Sequence, residues 1–145
     1  MFLLDEDVTA LKSLFPRKRV RTLAQVRLQR GTPDADIVLT AYNRGFTIVT
    51  ANADDFRKAI IDRQRRGRSG ECSCLFGLVI LPTGEEVQRR LMPSLRTVEQ
   101  QLRFRGKAIT WKDVRKKNYE VRLLRDRAPR VAELPPPCKL PGGHL

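Results

Sequence analysis

Asp5, Glu6 and Asp7 follow directly on a short apolar run, Phe2-Leu3-Leu4, and two later stretches bring more acids into comparable settings. Thr32-Pro33-Asp34-Ala35-Asp36 opens an amphipathic run, and Ile48-Val49-Thr50-Ala51-Asn52 is an apolar strand that ends in polar residues just before Asp54 and Asp55. Carboxylates crowded at one point repel each other unless a hard cation takes up their charge. Mg2+ suits such a set, because it takes oxygen ligands and needs only one or two carboxylates bound directly, the others reaching through water. A pair of such ions stabilises both the attacking and the leaving oxygen of a phosphodiester. The chemistry these residues suggest is metal-dependent hydrolysis, which needs neither histidine nor cysteine.

The elements that must position these acids read as alternating strands and helices. Phe2–Leu4 is a strand. Val8, Leu11, Leu14 and Phe15 recur at helical spacing, with Pro16 to end the helix. Val20 to Val26 reads as a short strand running into irregular chain. Pro33 sits where a helix begins, Thr32 is its cap, and Ile37, Val38, Ala41 and Tyr42 form an apolar face that stops at Gly45. Phe46–Thr50 is apolar on both faces, as in a buried parallel strand. Asp54 and Asp55 open the next helix, and Arg63 to Gly70 reads as a polar basic loop. Phe76–Leu81 is a further buried strand. Val87, Leu91, Leu95, Val98 and Leu102 mark a long helix that Pro93 should kink or split. Lys107–Trp111 and Tyr119–Leu124 read as short strands, the latter with Glu120 and Arg122 on a half-exposed face. This order predicts a three-layer α/β fold with a mostly parallel sheet flanked by helices. In such sheets ligands bind at the carboxyl ends of the strands, where all three acid groups would lie. One domain spans residues 1–125, and the proline-rich stretch 126–145 is a tail unable to bury a core.

Charge bounds the partners. Lys and Arg number 29 against 16 Asp and Glu, a net charge of +13, which favours a polyanion and nucleic acid first. An acidic pocket on a basic surface is what a metal nuclease needs. The apolar start is too short for a secretory leader, and no run approaches the roughly 20 residues of a membrane span, so the expected setting is cytoplasmic. Cys72, Cys74, Cys138 and the lone His144 match no zinc spacing, and reduced thiols are the simpler reading.

Taken together, Asp5-Glu6-Asp7 after the first strand, the helix opening Pro33-Asp34-Ala35-Asp36-Ile37, and Val49-Thr50-Ala51-Asn52 followed by Asp55-Phe56 resemble the PIN-like nucleases, most closely the DUF5615 branch. The resemblance covers residues 1 to 81, with a looser match near Tyr119 to Arg125. It implies a PIN-like fold and a Mg2+- or Mn2+-dependent endoribonuclease, often the toxin of a pair opposed by a protein antitoxin. It assigns Asp5, Glu6, Asp34 and Asp55 as metal ligands and places Asn52 beside them. Two departures matter: Asp7 stands where that branch has Asn, and Asn52 where many members have Asp, which removes a charge. An RNA- or protein-binding module with weak or no turnover is the alternative. A phosphoryl-accepting signalling domain is a poorer one, since no acid closes a central strand.

Arg57, Arg63, Arg65, Arg66 and Arg68 lie on or just after the helix that starts at the acids, and are the candidate contacts to RNA. A solvated basic loop is the plain competitor for them. Trp111 and Tyr119 fit core packing better than base stacking. Association into a homodimer is compatible with all of this.

Overall fold

The computed structural model describes residues 1–66, 77–104 and 119–133. Five parallel strands and one antiparallel strand form a single sheet in the order β2-β1-β3-β4-β5-β6. The strands are β1 (Phe2–Leu4), β2 (Val20–Thr22), β3 (Thr47–Thr50), β4 (Gly77–Ile80), β5 (Tyr119–Arg122) and β6 (Arg130–Glu133). Among the described residues three α-helices accompany them: α1 (Asp34–Arg44), α2 (Ala53–Arg66) and α3 (Glu85–Phe104). The register Leu4↔Val49 and Thr50↔Ile80↔Arg122 aligns the carboxyl ends of β1, β3, β4 and β5 along one edge.

Side chains alternate between two cores, which makes this a three-layer α/β fold. Leu3, Ile48, Leu78 and Ile80 pack with Ile37, Val38 and Tyr42 of α1 and Phe56 and Ile60 of α2 on one face. Phe2, Leu4, Val49, Val79, Val121 and Leu123 pack with Val8, Leu11 and Phe15 and with Met92 and Leu95 of α3 on the other. Burial of both faces explains why β3 and β4 read as unbroken apolar runs. Among the described residues, no helix is long and apolar enough to cross a membrane.

Several expectations are refined. The segment after β1 is a 3-10 helix, Glu6–Leu14, not an α-helix. Val8, Leu11 and Leu14 are spaced by three, so three residues per turn stack them on one line facing the core. At α1, Pro33 takes the N-cap, and Asp34 is the first helical residue. Gly45 ends α1 with φ +68°, its N–H bonding back to Ala41 and Tyr42, a conformation other residues adopt at a cost. The stretch expected as a basic loop from Arg63 is helical in α2 through Arg66, and 67–70, with Arg68, lie outside the described residues. α3 is continuous across Pro93. The sheet also runs on into the stretch assigned to the tail, because 130–133 pairs antiparallel with β5. Lys107–Trp111, the three cysteines and His144 lie outside the described residues.

Candidate functional site

The chain reverses its direction of travel across the sheet at β1. It moves to β2 on one side, then crosses back to β3 on the other. A crevice opens outside the carboxyl ends of strands at such a switch point. Asp5 follows β1 there, Thr50 ends β3 there, and the amino ends of α1 and α2 deliver Asp34 and Asp55.

Thr50 organises the floor. It is fully buried, and its hydroxyl donates to Asp5 Oδ2 at 2.9 Å and lies 3.5 Å from Asp7 Oδ2. The same oxygen accepts the Asn52 N–H at 2.9 Å, which turns the chain out of β3 towards α2. Asp5 is buried, with its N–H bonded to the Val49 carbonyl and its carbonyl accepting from Val8 N–H and the Thr9 hydroxyl. Asp7 reaches back to accept the Ala51 N–H at 2.9 Å. This third acid of the opening run thus belongs to the site; its pairing with the end of β3 needs the β1–β3 neighbourhood, which sequence alone does not show.

Asp34 and Asp55 complete the group electrostatically. Burial first, then the charges of Asp5 and Asp55, hold the Asp34 carboxyl above its ordinary 3.8. For Asp7, burial of a carboxyl tucked against β3 is the largest cause of an upward shift. The Ala51 N–H opposes it and the Asp5 charge adds to it. At Asp34 the helix dipole favours the ionised form by a few tenths to about 1 kcal/mol, so the upward direction means that burial, with the neighbouring charges, outweighs it. The linkage sign follows. A carboxyl raised in the fold contributes stability below the unfolded value of 3.8, and that stability is lost as pH rises through the folded value. Asp34→Asn should therefore melt higher than wild type at neutral pH, with the gain vanishing below pH 3.8. Melting curves across pH check this, and an unchanged or lower melting point at neutral pH would remove the crowding argument.

Two expected site residues stand elsewhere or act otherwise. Glu6 is held by the loop before α1. Its Oε1 accepts the Gly31 N–H at 2.7 Å and its Oε2 lies 3.9 Å from Arg30, so it pins the loop leading into α1 and positions Asp34 indirectly. Asn52 offers its amide rather than its carbonyl, donating from Nδ2 to Asp55 Oδ2 at 3.0 Å. An ionised carboxylate can only accept, so the amide nitrogen must be the group facing it.

The arginines expected as RNA contacts fall into two settings. Arg57 is committed: its Nε and Nη2 form a two-pronged pair with Glu120 at 2.8 and 2.6 Å, with Asp54 at 3.3 Å from Nη1. Glu120 is therefore buried rather than half-exposed. Arg63, Arg65 and Arg66 lie in the last turns of α2, which runs from the acid-bearing edge towards the opposite one. At 1.5 Å per residue they stand roughly 12–17 Å along the axis from Asp55.

Among the described residues, no three Asp, Glu, His or Cys side chains are disposed as a ready-made metal cage. The donor chemistry still suits a hard cation. Mg2+ retains several waters and takes one or two carboxylates directly, and the mutual repulsion at Asp34 is what a cation would relieve. Comparison with protein-family models, curated proteins and solved structures yields no match to this chain.

Proposed function

We propose that the chain is a Mg2+- or Mn2+-dependent endoribonuclease of PIN-like type, hydrolysing phosphodiesters at the β1/β3 switch point. The observation that carries this reading is the gathering of Asp5, Asp34 and Asp55 at the carboxyl edge of the sheet, where burial first and the neighbouring charges second hold Asp34 above its ordinary value, in a chain of net charge +13. Asp5, Asp34 and Asp55 would hold the ion, which when bound supplies Lewis-acid polarisation of the phosphodiester. Thr50 fixes the orientation of Asp5. Glu6 anchors the approach to α1 and so the place of Asp34. Asn52 orients Asp55. Asp7, anchored to Ala51 and raised from its ordinary value by burial, is the group suited to take a proton from the attacking water. The same reading gives the chain a cytoplasmic setting, an antitoxin protein as natural antagonist and a homodimer as one form of assembly.

The test is a mixed RNA pool incubated with wild-type protein in Mg2+, in Mn2+ and in chelator. Cleavage that needs either ion is the expected result. One observation favours a second reading, a PIN-like binding module without turnover: the Asn52 amide occupies an Asp55 oxygen that a ligand Asp at position 52 would leave to the ion. Asn52→Asp should lower the ion concentration that gives half-maximal cleavage. Silence of both proteins on every RNA, with RNA binding retained, would select the binding module.

A further inference from the structure

The β5–β6 hairpin carries Arg122, Arg125, Arg127 and Arg130 within nine residues, with Asp126 the lone acid among them. Because β5 runs parallel to β1, β3 and β4, the turn at its carboxyl end emerges on the edge that bears Asp5, Asp34 and Asp55. Arg17, Lys18, Arg19 and Arg44 stand at the opposite edge, before β2 and at the end of α1. Arg125, Arg127 and Arg130 are exposed.

Two details set this hairpin apart from an ordinary solvated turn. Arg122 and Arg130 are register partners across the antiparallel pair, and like charges placed directly opposite destabilise a sheet. Arg122 also lacks a full counter-charge. Its Nε is buried without a hydrogen-bond partner among the described residues, 4.0 Å from Glu120 Oε1, while both Glu120 oxygens are taken by Arg57. Among the described residues the hairpin thus holds more guanidinium groups than the acids Glu120 and Asp126 can match, an excess suited to a chain of phosphates because each planar fork can grip one with two N–H donors.

We propose that this hairpin is the phosphate clamp for single-stranded RNA entering the acidic site. The proposal rests on the ribonuclease reading for its choice of polyanion. Three strand spacings separate β1 from β5, about 14 Å. At about 3.4 Å per phosphate of a stacked strand, that spans roughly four nucleotides. A flat anionic membrane pressed on the same edge would bring its headgroups against Asp34 and Asp55, whereas a single strand can offer one phosphate to the acids and later ones to the hairpin.

The experiment is binding of a fluorescein-labelled octauridylate to the full chain in Ca2+, followed by anisotropy over a salt series. Joint replacement of Arg125, Arg127 and Arg130 by Ala should weaken binding and shallow the slope of log affinity against log salt by about 2, at about 0.7 per lost phosphate contact on a single strand. Arg17→Ala with Lys18→Ala should leave the slope at its wild-type value. Arg130→Thr alone should hold or raise the melting temperature, because it removes the like-charged pair, while still weakening RNA binding. Opposite movement of stability and affinity excludes simple misfolding. The proposal is overturned by an unchanged slope in the triple variant, by an equal loss in the Arg17/Lys18 variant, by absence of RNA binding in wild type, or by loss of binding to phosphatidylserine vesicles in place of RNA. Binding is read without cleavage. A shallower slope in a chain that cleaves nothing would keep the clamp and discard the nuclease, and ion-dependent cleavage with normal binding by the triple variant would do the reverse.

Discussion

Asp5→Asn is expected to lower RNA cleavage by about 100- to 1,000-fold, the usual consequence of removing one charge-stabilising group from a water-poor site, with the fold retained. Asn has nearly the same shape, and its carbonyl oxygen can still accept the Thr50 hydroxyl that now binds Asp5 Oδ2. What is lost is the charge facing Asp34, whose own upward shift records the presence of Asp5. Initial rates in Mg2+ or Mn2+, together with an unchanged circular dichroism spectrum, check the expectation. A rate within a few fold of wild type would show that the reaction does not pass through this carboxylate.

Thr50→Val should have the largest effect on stability, about 2–4 kcal/mol. The side chains are alike in shape but not in chemistry, and the fully buried hydroxyl has several partners. Its removal strands the Asn52 N–H and leaves Asp5 Oδ2 without its donor, each costing about 1–3 kcal/mol when buried. Chemical denaturation measures the loss. Thr50→Ser keeps the hydroxyl and should recover most of it. A loss confined to the valine variant would tie the stability of β3 to the same bonds that orient the site.

Much of this architecture is legible in the residues, and the parts that are not have physical reasons. The buried strands β3 and β4 announce themselves because a parallel sheet covered on both faces demands unbroken apolar runs. Asp34 is placed at the start of α1 by Pro33 and Gly45, one limiting each end. The choice between Glu6 and Asp7 is not visible locally, since both follow β1. It is decided by the Gly31 N–H, which takes Glu6, and the Ala51 N–H, which takes Asp7. Arg57 reads as a free cation until β5 brings Glu120 beside it across 63 positions of chain. Arg63, Arg65 and Arg66 read as near the acids because they are near in sequence, but a helix of 14 residues carries them away from that edge. β6 escapes notice because its four residues sit among prolines and are held as a strand by β5 alone.

We propose Asp5, Asp34 and Asp55 as a cation site, and a Mn2+ titration of thermal stability tests this most directly. Wild type should melt higher as ion is added. At 100 times the dissociation constant the gain is about 2.7 kcal/mol, or roughly 5–10 °C for a domain of this size. Asp34→Asn should begin above wild type without ion and gain little from it, and Asp5→Asn should also gain little. A wild-type melting point indifferent to Mn2+, or an equal rise in all three proteins, would contradict the account.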